Sequence, residues 1–382
     1  MENNNSVCYV GKVTEIKAIE GADNIELAVV GGWNAITKKG AQTVGELVVV
    51  ATTDALIPAS ISDSIGVTNY LRKGGRVRTV KLRGVYSECL IIPFNSLPQM
   101  KKQFATGIGY YWKEGEDLME VLGIFKYEPP AVQVQLASGR KFKYHQNPNF
   151  GIYYKFPNLK NVAGMFTEND LVEITRKIHG TNARYGIVKK NKISIWDKVK
   201  RFFGNEWVEY EYVYGSHNVE KGSDSQGFYD TDVWANIANK FEIKKKLWAL
   251  AKKYGTEDIG EGIILYGEIY GAGIQKNYDY GLTEIDFNGF DVKIDGEYQT
   301  TFNAWKIIDS WLGLSYVPLL YYGEWSQEIQ DKYTFKNYID DSKVPHEGIV
   351  IKYFTGERNK VAKVINPDYL IYGEKHDVGD SH

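Results

Sequence analysis

The stretch LVEITRKIHGTNARYGIV, Leu171 to Val188, carries the residues whose types and spacing point to chemistry. Apolar runs at Leu171–Ile174 and Tyr185–Val188 read as two strands. Between them stands a polar loop, Lys177-Ile178-His179-Gly180-Thr181-Asn182. A lysine that ends one strand and faces a Gly-Thr turn is a candidate cleft residue. An ordinary lysine, with a pKa of about 10.4, is protonated and cannot attack anything. Partial burial, neighbouring positive charge or a metal would free its amine as a nucleophile. The competing account is a solvent-exposed lysine in a turn.

The part of the chain that must position this loop starts near Phe150 and is β-rich, with one clear helix. Between Val233 and Tyr254 the apolar residues Ile237, Phe241, Leu247, Trp248, Leu250 and Ala251 recur at helical spacing, and the lysines around them form a solvated basic face. Ahead of this part, the first hundred residues read as short strands at Val7–Ile16, Ile25–Val30, Glu46–Ala51, Arg76–Leu82 and Glu88–Pro93, punctuated by glycines such as Gly31-Gly32 and Gly74-Gly75. Five short strands with no long helix between them predict a small closed barrel of OB type. An SH3-like barrel gives much the same pattern. Glu128-Pro129-Pro130 marks a linker, because two prolines cannot continue a helix. The expected fold class is α+β: an OB-like β-barrel over 1–128, a linker over 129–148, and a domain of antiparallel sheets with flanking helices over 149–382.

Composition narrows the function classes. A length of 382 residues suits two or three domains, and 43% hydrophobic residues exclude global disorder. No run of about 18 apolar residues is present, so a membrane-spanning helix is excluded and no membrane partner is expected. Met1 to Ser6 is polar and Asn-rich, unlike a signal peptide. Two cysteines, Cys8 and Cys89, cannot staple a secreted fold or supply four zinc ligands, so a reducing, cytoplasmic setting is expected. With 46 Lys and Arg against 48 Asp and Glu, nucleic-acid binding would have to come from local patches.

Lys177 to Asn182 resembles the nucleotidyltransferase signature of covalent polynucleotide ligases and RNA-capping enzymes. Its His-Gly-Thr-Asn form is similar to that of ATP-dependent RNA ligases. Later segments resemble further motifs of that family in the right order: Ile264 to Gly271 around Glu268, Phe290-Asp291-Val292, Glu347 to Lys352, and Ala362 to Ile365 around Lys363. A barrel placed before the transferase motifs, with Ala22 to Leu27 and Arg76 to Val85 within it, resembles the Deinococcus and Naegleria type of RNA ligase. A capping guanylyltransferase would be expected to carry its OB domain after the transferase core. A non-catalytic RNA-binding protein with a decayed transferase domain would be expected to have lost some of Lys177, Glu268, Glu347 and Lys363.

The resemblance implies an enzyme that seals 3′-hydroxyl/5′-phosphate nicks. The Lys177 amine attacks the α-phosphate of ATP, AMP passes to an RNA 5′-phosphate, and the 3′-hydroxyl displaces AMP. It further implies that Glu268 accepts from the ribose hydroxyls and that Phe290 stacks on adenine. Lys352 and Lys363 would meet the phosphates, and Lys155 is a further phosphate candidate without a motif of its own. Glu347 would help hold Mg2+ or Mn2+, with Asn182 near it through water. His179 and Asn182 would also belong to the ATP-binding set; an ordinary turn asparagine is the alternative for Asn182, and a loop-holding histidine for His179. Lys360 is an alternative to Lys363, and Tyr214 to His217 is the nearest candidate for gripping the 5′-phosphate. The partner would be nicked or broken RNA in a duplex, met by a monomer. Arg72, Lys73, Arg76, Arg78, Lys81 and Arg83, with no acid between Asp63 and Glu88, form the expected RNA-facing surface, and Arg76 and Arg78 share a strand face. A strand edge kept basic against aggregation is the rival reading.

Overall fold

The computed structural model describes residues 6–97, 112–127, 147–223, 232–335, 337–339, 342–355 and 360–378. These divide into two units. The first comprises 6–97, 112–127 and Pro157–Met165, and the second comprises 147–156 and the described residues from Phe166 onward. Of the linker expected over 129–148, residues 129–146 lie outside the described residues.

In the first unit the strands are β1 (Cys8–Ala18), β2 (Ile25–Val30), β3 (Trp33–Lys38), β4 (Leu47–Thr52), β5 (Ala55–Leu56), β6 (Val80–Leu82), β7 (Val85–Ser87), β8 (Cys89–Ile92) and β9 (Phe125–Lys126). Five of them form an antiparallel sheet in the order β3-β2-β1-β4-β8. β1 serves two partners: Cys8–Lys12 pairs with β4 and Val13–Ala18 with β2. Gly11 permits the curl this needs, because a Cβ there would lie 2.5 Å from methyl groups of both Val30 and Val50. β4 is apolar from Leu47 to Ala51 because both its faces are covered. Val49 and Ala51 join a core with Ile61 and Ile92, and Val48 and Val50 join another with Ala28 and Trp33. The Gly31-Gly32 break is the two-residue turn of a β2–β3 hairpin, so a strand follows where the sequence offered only punctuation. Lys160, from the segment that returns to this unit, pairs with Glu88 and lies 5.5 Å from the centre of the Trp33 ring.

The basic stretch of this unit needs correction. Arg76–Leu82 is not one strand: only Val80–Leu82 is, paired with Val85–Ser87 in a short hairpin. Arg76 therefore does not share a strand face with Arg78. Arg76 is 9% exposed, donates to Asp54 Oδ1 at 2.8 Å (Nε) and 2.5 Å (Nη2), and lies 3.9 Å from the centre of the Tyr127 ring. An arginine so enclosed neutralises an internal carboxylate instead of meeting phosphates. Lys73, Lys81 and Arg83 are exposed and Arg72 and Arg78 half-buried, so these five remain as a basic surface.

In the second unit the strands are β10 (Leu171–Lys177), β11 (Thr181–Lys189), β12 (Tyr210–Gly215), β13 (Glu220–Ser223), β14 (Gly262–Gly271), β15 (Ile285–Ile294), β16 (Glu297–Tyr298), β17 (Leu319–Glu324), β18 (Gly348–Tyr353) and β19 (Val361–Ile365). They build a six-stranded sheet, β13-β12-β11-β14-β15-β16, and a four-stranded sheet, β17-β10-β18-β19. The pairings within both are antiparallel. Alternation sorts β11: Ala183, Tyr185 and Ile187 join the main core with Ile237, Leu247 and Leu250, which leaves Asn182 and Arg184 on the opposite face. The helix expected over 233–254 is two, Val233–Lys240 and Ile243–Tyr254, separated where Glu242 takes a left-handed conformation (φ 52°). Both keep their apolar sides buried, so the periodicity survives a break it does not reveal. β10 lies in one sheet and β11 in the other. Ile178–Gly180 carry the chain across, and Lys177 stands at the crossing.

Arg76→Ala should lower the stability of the first unit by about 2 kcal/mol, because the half-buried Asp54 loses both hydrogen bonds from the guanidinium. Lys81→Ala, at an exposed position, should change it by less than about 0.5 kcal/mol. Urea unfolding of the two variants measures the contrast.

Candidate active site

Antiparallel register decides which side chains meet. β10 pairs with β18 so that Lys177 opposes Gly348, Thr175 opposes Val350 and Glu173 opposes Lys352, and Val350 in turn opposes Lys363 on β19. Paired residues and those two apart share a face, so Glu173, Lys177, Lys352 and Lys363 line one side of the four-stranded sheet. Lys360 lies just before β19, tied to Asp170 at 3.3 Å with its ammonium 4.4 Å from the centre of the Tyr353 ring. The geometry therefore favours Lys363 over Lys360 as the closing lysine.

The Lys177 ammonium meets Glu347 Oε1 at 2.5 Å, and Glu347 has no exposure to water. The loop that follows is held on all sides. The His179 N–H donates to Tyr280 Oη at 2.6 Å, and the His179 ring is buried edge-on against Tyr278 and Tyr369. Gln275 donates to the Gly180 carbonyl. A Cβ on Gly180 would lie 2.2 Å from the Ile269 carbonyl oxygen and 2.9 Å from Glu268 Cγ, so this position admits only glycine without displacement. The His179 backbone and ring are thus both engaged with neighbouring tyrosines, an arrangement compatible with the loop-holding alternative.

Asn182 opposes Glu268 across β11 and β14, and Glu268 opposes Asn288 across β14 and β15. Burial pushes the Glu268 carboxyl up to about 8, and the nearby Glu347 charge adds to this. The Lys177 ammonium and the Gly180 N–H act in the opposite direction. The Asn182 side-chain oxygen is buried and has no hydrogen-bond partner among the described residues. Two carboxylates and an amide oxygen form a hard donor set suited to Mg2+ or Mn2+. Among the described residues no group of three or more His, Cys, Asp or Glu side chains could hold a metal ion. An ion here would take few protein ligands and keep several waters, as magnesium prefers.

A second charged cluster ties the sheets together. The β14–β15 register slips between Tyr266 and Gly267, so Phe290 is the extra residue of a bulge beside Asp291. Phe290 is half-buried, 4.9 Å centre to centre from the Tyr153 ring. Lys352, 3% exposed, donates to the Phe290 carbonyl at 2.7 Å and lies 3.5 Å from Asp291. Tyr153 donates to Asp291 at 2.9 Å and Tyr316 to Glu173 at 2.8 Å. Burial raises the Glu173 carboxyl, opposed by the charge of Lys352. Lys352 is on the expected face but is engaged with the β15 bulge.

Lys155 is exposed, and its charge and that of Arg184 act on His217, whose pKa is lowered chiefly by burial. The structure thus brings Lys155 near the Tyr214–His217 stretch. Arg184, Asp291, Glu173 and Tyr280 were not singled out by sequence reasoning. Arg184 is fully buried, donates to the Ser216 carbonyl at 2.9 Å and rests 4.2 Å over the Phe150 ring. A charged residue at an alternate position of an otherwise apolar strand was the available signal.

A family model described as RNA ligase matches residues 170–365, which include every site residue from Lys177 to Lys363, and an OB-fold domain model matches residues 7–94. A search of curated proteins returned no match. Among solved structures, a Naegleria gruberi RNA ligase with PPi is 22% identical, covers 97% of this chain and 99% of its own, and has a TM-score of 0.67. Over the same shares, a mutant of that ligase with ATP and Mn is 21% identical at TM-score 0.68, and another with AMP and Mn is 22% identical at 0.68. At these identities the likeness establishes a shared fold: an OB-fold, barrel-like sheet followed by an antiparallel-sheet ligase domain with helices. The OB-fold match decides against the SH3-like alternative.

Gly180→Ala should cost about 2 kcal/mol through overpacking against backbone that cannot yield, with chemical denaturation as the measurement.

Proposed function

Because the chain belongs to the RNA ligase family, we propose that it is an ATP- and divalent-metal-dependent RNA ligase working through a covalent Lys177 adenylate. The Lys177–Glu347 pair, on a face shared with Lys363 and bordered by Glu268 and Asn182, is the observation that carries this reading. Once its proton has left, the Lys177 nitrogen forms a bond to the α-phosphorus of ATP, the bond to the bridging oxygen breaks, and pyrophosphate departs. An RNA 5′-phosphate oxygen then takes the AMP from lysine, and a 3′-hydroxyl attacks that phosphate, expelling AMP and leaving a phosphodiester.

Each residue has a physical reason for its part. Glu347 and the Asn182 amide oxygen would hold the divalent ion, which would supply positive charge beside the phosphates. Glu268 would accept from the ribose hydroxyls, and Phe290 would cover the adenine. Lys363 would meet the phosphates directly. Lys352 would act mainly by fixing the bulge that presents Phe290, and Lys155 with the Ser216–His217 turn would grip phosphate at the rim. Arg72, Lys73, Arg78, Lys81 and Arg83 would face nicked or broken duplex RNA, met by a monomer. A cytoplasmic setting is supported by two buried free thiols, Cys8 and Cys89.

Incubation with ATP labelled at the α-phosphate should place label on the polypeptide, and Lys177→Ala should abolish it. Label from GTP alone would favour a capping activity, and none from either nucleotide a binding module. Glu347→Ala and Lys363→Ala should each lower labelling by about 10²-fold, while Lys360→Ala stays near wild type. Equal losses at Lys360 and Lys363 would undo the register argument. Charge reversal at Lys81 and Arg83 should spare labelling, weaken joining of nicked RNA and reduce its salt dependence.

A further inference from the structure

The helix Ile195–Phe202, in the connection between β11 and β12, is turned inside out. Its polar side is tied to the two ends of that connection: Asp197 pairs with Lys190 at 3.4 Å and Arg201 with Glu209 at 2.5 Å, and both carboxylates are mostly shielded from water. Its apolar side faces solvent. Ile195 is 79% exposed, Trp196 75%, Val199 40%, Phe202 86% and the following Phe203 80%, and no residue of the helix is buried. At 3.6 residues per turn these five form one continuous stripe, with Lys198 and Lys200 on its two borders. The helix is well finished in its own right, with Ser194 and Asp197 forming a reciprocal cap. Leaving four large apolar side chains in water on an ordered helix calls for something that covers them.

Charge identifies the cover. From Lys189 to Phe203 the chain has six cations (Lys189, Lys190, Lys192, Lys198, Lys200 and Arg201) against one carboxylate, Asp197, in a protein whose net charge is −2. An apolar stripe with aromatic ends and lysines along both edges suits an anionic lipid surface. The stripe would enter the headgroup boundary while the lysine stems reach the phosphates. RNA is the poorer fit, because Ile195 and Val199 at the centre of the stripe offer no ring to stack on a base. We propose that this helix docks the protein on anionic membranes, lying in the interface rather than spanning it. No described helix is long and apolar enough to cross a membrane. The proposal is independent of the ligase reading.

Flotation of the full chain with vesicles tests it. Wild type should bind phosphatidylcholine–phosphatidylglycerol vesicles at least about tenfold better than phosphatidylcholine alone, with binding that weakens as salt rises. Trp196→Ser with Phe202→Ser should cut that binding about tenfold or more while leaving the circular dichroism spectrum and unfolding midpoint unchanged. Lys198→Glu with Lys200→Glu should remove the preference for anionic vesicles. Wild type that stays unbound, or a serine variant that binds as well as wild type, would overturn the proposal. So would an absence of vesicle binding combined with RNA joining lost in the serine variant, which would assign the stripe to RNA. A dimer abolished by the same variant, again without vesicle binding, would assign it to a second copy of the chain.

Discussion

A carboxylate with no access to water stays charged only beside a cation, and for Glu347 that cation is Lys177. The strands around them are arranged to keep the pair together. β10 ends at Lys177 opposite Gly348, so the residue before β18 presents its carboxylate where β10 delivers its amine. Glu268 approaches the same amine from the other sheet, so one ammonium is shared between a fully buried carboxylate and a half-buried one. Burial raises the Glu268 pKa, the Glu347 charge adds to this, and the Lys177 ammonium offsets only part of it. Two carboxyl groups and the Asn182 amide oxygen around one lysine present oxygen donors of the kind a hard divalent ion prefers.

The second lysine cluster shows how the fold keeps the two sheets in step. Lys352 belongs to the four-stranded sheet, yet its ammonium bonds to the Phe290 carbonyl and faces Asp291 on the six-stranded one. The β15 bulge that exposes Phe290 therefore also supplies the atoms that anchor Lys352. Tyr153 and Tyr316 satisfy the two neighbouring acids, Asp291 and Glu173, so the cluster closes without leaving a buried charge bare. The adenine-stacking candidate and the phosphate-facing strand are thus fixed by a single network. Lys352 fits a positioning part better than a direct phosphate contact.

Much of the site was legible because its residues are consecutive or bracketed by distinctive neighbours. Lys177 to Asn182 is a six-residue segment, Glu268 sits in an apolar strand, and Glu347 precedes Gly348 in a run that had to be buried. Other features left no local mark. The break at Glu242 is a backbone conformation, not a composition, and helical periodicity runs through it. Arg76 and Arg78 look alike in sequence, but a turn places one against Asp54 and Tyr127 while the other stays half-buried near Tyr70. The apolar run of Ile195 to Phe203 would pass for core, and only the placement of its polar side against the protein turns it outward.

The amino-acid order by itself determined the two-part organisation, the strand-rich character of both parts, the loop with the candidate nucleophile and the candidate carboxylates around it. These follow from periodicity and from residue types that sit in short contiguous segments. Tertiary structure alone decided the partners. It put Lys363 on the face of Lys177 and tied Lys360 to Asp170, gave Lys352 to the bulge, hid Arg76 and raised the Glu268 pKa by burial. The reason is that register and burial are set by strands far apart in the chain, and a side chain's charge, reach and freedom depend on what those strands bring next to it.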